Sequence, residues 1–167
     1  MNALVNQLKD HPPQHADCLV AVQSSITGYH HFRVRPLTGL RFPLIITREP
    51  NNVLHANALM VKSGPADMYP GSVRQFVSKE QLDVFAKEIG RCPRALADII
   101  APLFDQQNII KGRSICTGQR DFRGRGPGGG MHLECIYILQ AKNNATAVKL
   151  KSALTENNFI AFLLNNE

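Results

Sequence analysis

The sequence predicts a mainly β domain with added helices, an α+β chain whose short strands build a small β-barrel. Three observations predict it. Apolar, β-branched runs recur along the chain, each bounded by glycine, proline or asparagine. Two segments carry the 3.6-residue apolar spacing of helices instead. The chain has 167 residues and 44% hydrophobic content, which suits one domain burying its own core. Residues 1–167 read as a single unit with no internal repeat and no second-domain boundary.

Met1 to Leu8 fits a short helix with Leu4, Val5 and Leu8 on one side, closed by Pro12 and Pro13. Cys18 to Val22 reads as a strand buried on both faces, and a second strand falls near Phe32 to Val34. A third spans Leu40 to Thr47, and a fourth Asn57 to Val61 beyond the turn at Pro50-Asn51-Asn52. Ser78 with Gln81 has the capping-box pattern and starts a helix to Glu88, with Leu82, Phe85 and Ile89 inward and Gly90 as its stop. Pro93 opens another helix, where Leu96, Ile99, Ile100 and Leu103 keep amphipathic spacing. Ile109–Thr117 and His132–Gln140 are late strands joined by a Gly/Arg-rich loop, Gly118 to Gly130. The C-terminal segment 145–164 begins as a helix, Ala145 to Glu156. Its apolar end, Phe159 to Leu164, fits helix or strand.

Composition bounds the function. Nineteen Lys and Arg against 13 Asp and Glu leave a net charge of +6, which favours an anionic partner. The segment Lys111 to Arg125 holds five of these cations, Lys111, Arg113, Arg120, Arg123 and Arg125, and a single acid, Asp121. Four widely spaced cysteines, with no CxxC pair, predict free buried thiols in a reducing compartment rather than a zinc site. No stretch approaches the ~18 apolar residues of a membrane span. Met1 to His15 carries no apolar signal region. The expected location is intracellular, in nucleus or cytoplasm, with no membrane partner.

No nucleophile elbow, phosphate loop or HExxH motif is present, so the expectation is a non-enzymatic chain without cofactor or metal. Gly124 to Gly129 evokes a dinucleotide loop only superficially, since no apolar strand precedes it and Pro127 interrupts it. Adjacent His30 and His31 would point to opposite faces of a strand and so would not share a metal.

Candidate binding residues fall in three places on the residues alone, one of them the group Lys111, Arg113, Arg120, Arg123 and Arg125, which resembles a sequence-tolerant, salt-sensitive RGG-like loop. Tyr29, His30, His31, Phe32 and Arg33 interleave rings with positive charge, which suits base stacking with phosphate contact. The same run also suits core aromatics with solvated neighbours. Arg91 and Arg94 flank the start of the Pro93 helix, whose free N–H groups attract an anion; a solvated first turn is the alternative.

Three segments together resemble the HIRAN family. Thr47-Arg48-Glu49-Pro50-Asn51-Asn52-Val53-Leu54-His55-Ala56-Asn57-Ala58-Leu59 is similar to its R-[DE]-P-N-N signature. Upstream lies Thr27-Gly28-Tyr29-His30-His31-Phe32, and downstream Ile89-Gly90-Arg91-Cys92-Pro93-Arg94-Ala95-Leu96-Ala97, in the family's order. The three motifs lie within residues 18–105, and the strands of 109–140 would complete the domain. The resemblance implies an OB-like barrel that grips single-stranded DNA and recognises a 3′ strand end, serving DNA repair or replication-fork processing through protein partners that supply the enzymatic activity. It implies stacking and phosphate contact by Tyr29 to Phe32, an end pocket lined by Asn51, Asn52, Leu54 and His55, and phosphates held by Arg91 and Arg94. Arg48 and Asn57 are expected to be structural, Asn57 by buttressing the turn. The chain departs from the family at Leu54, usually aromatic, at His55, usually acidic, and in an insertion from Ser63 to Lys87. The expected partner is single-stranded DNA, with RNA as the related alternative. A protein-interaction adaptor using Phe159 to Leu164 is the rival from another class.

Overall fold

A computed structural model describes residues 18–28, 43–65, 67, 86–123 and 130–164. Seven strands and two helices follow in the order β1 (Leu19–Ile26), β2 (Leu44–Arg48), β3 (Leu59–Lys62), β4 (Glu88–Arg91), α1 (Arg94–Asp105), β5 (Ile109–Phe122), β6 (Met131–Ala141), α2 (Asn144–Glu156) and β7 (Ala161–Leu164). The strands form one antiparallel sheet in the order β4-β3-β2-β5-β6-β1-β7.

Alternation decides which face is inside. Val20, Val22 and Ile26 of β1, Leu44 and Ile46 of β2, Leu59 and Val61 of β3 and Tyr137 and Leu139 of β6 form one buried apolar face. Against it pack Leu96, Ala97, Ile100 and Ala101 of α1 with Ala147, Leu150 and Leu154 of α2. Ala21 is buried too, so the expected two-sided burial of this strand holds. Tyr137 is fully buried and discharges its polar end by donating to the Ser25 carbonyl at 2.8 Å. Asn143 caps α2 by accepting from the Thr146 amide at 2.9 Å.

The structure departs from the sequence expectations in four ways. The sheet is not closed into a barrel. β1 and β4 meet through one bridge, in which Thr27 and Arg91 exchange two backbone hydrogen bonds of 2.9 Å. That is a rim contact and not a ladder. Glu88 to Arg91 is strand, so Gly90 stops no helix: it pairs with Val61, and Ile89 enters the sheet's core. The late strands run further than expected, to Phe122 and from Met131, because the Arg123 amide still bonds the Gly130 carbonyl at 2.9 Å beyond an irregularity between Cys116 and Arg120. Helix does not fill 145–164. It ends at Glu156, Asn158 takes a positive φ of 64°, and Ala161–Leu164 pairs with β1 as an edge strand. The expected helices at 1–8 and in 78–85 and the strand at 32–34 lie outside the described residues.

All four cysteines are free and buried. No helix among the described residues is long and apolar enough to cross a membrane. No three potential ligands among the described residues are grouped to hold a metal ion.

Candidate nucleic-acid interface

The segment joining β2 to β3, Glu49 to Ala58, is built by its own side chains. Pro50 and Asn51 turn the chain, and the Asn52 amide donates to the Glu49 carbonyl at 3.0 Å. Asn52 Oδ1 then accepts from the amides of Leu54 and His55, at 3.0 and 3.1 Å. An asparagine side chain thus replaces a backbone acceptor and folds the tip. Glu49 and Ala58 close the base, amide to carbonyl at 3.0 Å.

Side chains fasten this loop to α1 and β4. Arg48 forks onto Asp105 at 2.8 and 3.0 Å and donates to the carbonyls of Ala58 and Ala56 at 2.9 and 3.1 Å. Arg91 forks onto Glu49 at 2.7 and 2.9 Å. Arg94 donates to the Leu54 carbonyl at 2.8 Å. Asp98 Oδ1 receives both His55 Nε2 at 2.8 Å and Asn57 Nδ2 at 2.9 Å.

The three carboxylates carry the electrostatic mark of these contacts. The hydrogen bond from Arg91 holds Glu49 below the usual range, against the opposing effect of burial. Those from His55 and then Asn57 lower Asp98, and that from Arg48 lowers Asp105. Asp98 is therefore an acceptor-only carboxylate, so the His55 nitrogen facing it carries the proton. In the neutral ring, Nδ1 is then the acceptor.

The expected site residues fare differently. Asn51, Asn52, Leu54 and His55 on this loop, Arg91 at the end of β4 and Arg94 at the start of α1 come together. Tyr29, His30, His31, Phe32 and Arg33 lie outside the described residues. They follow Gly28, whose φ of 68° is in the left-handed region, immediately after the Thr27–Arg91 bridge. The Asn52 side chain is committed to the loop itself, that of His55 to Asp98 of α1, and Arg91 to Glu49. Asn51 is exposed, with no side-chain hydrogen bond to a described residue. Val53 and Leu54 form the tip, 96% and 83% exposed. Arg48 and Asn57 have the structural role expected of them, although Asn57 reaches a carboxylate on α1 and not the turn backbone.

Glu49, Asp98 and Asp105 were missing from the sequence reading as partners. One signal was present. Arg94, Asp98 and Asp105 stand at i, i+4 and i+11, which places all three on one helical face.

No known family's sequence pattern and no curated protein matches the chain. Among solved structures, it is similar to the crystal structure of the HIRAN domain of human HLTF, at 12% identity over 87% of this chain and 93% of that one, with a TM-score of 0.52. At that identity the likeness is one of fold, and this chain folds like a HIRAN domain.

Proposed function

We propose that the chain is a DNA-binding module that grips single-stranded DNA near a strand end and supplies no catalysis of its own. The observation that carries this reading is the Glu49–Ala58 loop. Two arginine–carboxylate pairs and the His55–Asp98 hydrogen bond hold an exposed apolar tip, Val53–Leu54, beside an exposed amide, Asn51, and the solvent-facing Arg94. A rigid apolar tip can stack on or wedge beside an unpaired base at low entropic cost. Arg94 can meet a phosphate with the donors it does not spend on Leu54. In its neutral form the His55 ring offers Nδ1 as an acceptor for a terminal hydroxyl. The fold likeness and the three HIRAN-like motifs support the same reading. In it, repair or fork-processing partners act in nucleus or cytoplasm and provide the chemistry. Competition among labelled oligonucleotides tests it. A single strand should displace the probe better than a duplex or an RNA of equal length, and 3′-hydroxyl and 3′-phosphate ends should differ. Equal competition by single strand and duplex would remove the single-strand reading.

A second reading rests on β7. Among the described residues it is an edge strand paired only with β1; Ile160 just before it and Phe162 within it are 57% and 41% exposed. An extended peptide could add to this edge, as an adaptor would require. Substituting Phe162 by Ser would then abolish partner capture and leave oligonucleotide binding intact.

A further inference from the structure

The loop cannot supply the attraction that a polyanion needs. Arg48, Arg91 and Arg94 are matched there by Asp105, Glu49 and Asp98, so the fastening is close to charge-balanced. The surplus of +6 must lie elsewhere.

Register locates part of it. Arg113 of β5 stands opposite Ile45 of β2, and Ile45 stands opposite Lys62 of β3. Residues directly opposite in an antiparallel pair share a face, so Arg113 and Lys62 flank Ile45. Lys111 lies two residues before Arg113 in unbroken register and joins the same face. This is the face away from the helices. The intervening Gly112 turns to the other side, where a Cβ would meet Phe104 of α1 at 2.9 Å.

Lys111 is exposed, and Lys62 and Arg113 are half-buried. Neither lysine forms an ion pair with a described residue. One carboxylate, Glu88, stands opposite Lys62 in the register, beyond the irregularity at Val61/Lys62. Partial burial, then the charge of Arg113, push the Lys111 amine below the usual lysine range. Arg113 also donates to the Gly112 carbonyl at 3.2 Å, and the charges of the two lysines beside the isoleucine favour a bound anion.

We propose that Lys62, Lys111 and Arg113, around Ile45, form a second contact site, which takes the phosphodiester backbone of the strand whose end meets the Val53–Leu54 tip. The proposal rests on the nucleic-acid reading above. Ile45 precedes Arg48, the last residue of β2, by three positions, or about 10 Å at strand rise. A strand leaving the tip must turn over the β2–β3 end of the sheet, from the side of α1 to the opposite face, to reach this site. The contact is to phosphate and apolar sugar or base surface, so it is blind to sequence.

The test compares wild type with the Lys62→Gln, Lys111→Gln, Arg113→Gln triple variant, binding a labelled oligo-dT across a salt series. Three lost phosphate contacts should flatten the log–log salt slope by about 2, at roughly 0.7 per contact on a single strand. In wild type, oligo-dT should also protect Lys62 and Lys111 from reductive methylation, read by mass spectrometry, which needs no variant to fold. An unchanged slope with unprotected lysines, while wild type binds, overturns this site and leaves the loop reading standing. Failure of wild type to bind at low salt removes both.

Discussion

Asp98→Ala tests the fastening of the loop most sharply. One carboxylate oxygen receives both His55 and Asn57, at 2.8 and 2.9 Å, so a single truncation releases two donors from the loop. A hydrogen bond contributes about 0.5–1.5 kcal/mol net, and more when charged. The Asp98 side chain is 49% exposed, so screening trims that gain. The expected loss is about 1–1.5 kcal/mol, or about 3–5 °C in melting temperature for a domain of this size. In a double-mutant cycle with His55→Ala, the coupling should be about 0.5–1 kcal/mol. The pH dependence has a definite sign. The Asp98 carboxyl is held down by His55 and Asn57, so its contribution is full above the ordinary carboxylate range of about 4 and is lost as pH falls through the lower folded value. The gap between wild type and variant should therefore close in acid. Amide exchange at Leu54 and His55 should quicken in the variant, since the Asn52 turn loses its anchor. Unchanged melting, zero coupling and unchanged exchange together would refute the fastening.

Further substitutions separate structure from binding. Arg91→Gln should cost about 1 kcal/mol by stranding the part-buried Glu49, whereas Arg94→Gln should stay within about 0.5 kcal/mol and weaken oligonucleotide binding for every sequence alike. Equal stability losses would contradict the division of labour between the two arginines. Gly112→Ala should destabilise by about 1 kcal/mol, because its Cβ would lie 2.9 Å from Phe104 Cζ and 3.0 Å from Ile46 Cδ1. Thermal melting checks it, and an unchanged midpoint would show that α1 yields freely. Burial raises the thiols of Cys92 and Cys135, and pushes that of Cys116 up to about 11. These three should resist alkylation at neutral pH until the chain is unfolded, and native modification would place them at the surface.

Much of the scaffold was legible because its signals are local. The 3.6-residue spacing from Leu96 to Leu103 marks α1, and the continuous apolar run Cys18 to Val22 marks β1. Asn143, by contrast, caps α2 one residue earlier than the apolar pattern alone suggests. Gly90 misled for a physical reason. Glycine favours helix ends, yet it also fits a strand where backbone pairs closely, and only the long-range partner Val61 distinguishes the two. The open sheet was equally hidden, because closure depends on whether β1 and β4 share a ladder or a single bridge. At the candidate site, the motif singled out Asn51 to His55, Arg91 and Arg94, which the fold places side by side. It did not reveal that Asn52, His55 and Arg91 are occupied by Leu54, Asp98 and Glu49, contacts that span up to 43 residues. That occupancy also changes what substitution at His55 would do. An acid there would face Asp98 and repel it, so restoring the family's residue alone would loosen the loop.

The central claim is that this fold binds a single-stranded nucleic acid through phosphate contacts. The most direct measurement is fluorescence anisotropy of a labelled oligo-dT with the full chain, titrated between about 50 and 200 mM salt. Contacts from Arg94, Lys62, Lys111 and Arg113 predict a log–log slope near −3, at about −0.7 each. Absence of binding at the lowest salt, or binding indifferent to salt, would contradict the account.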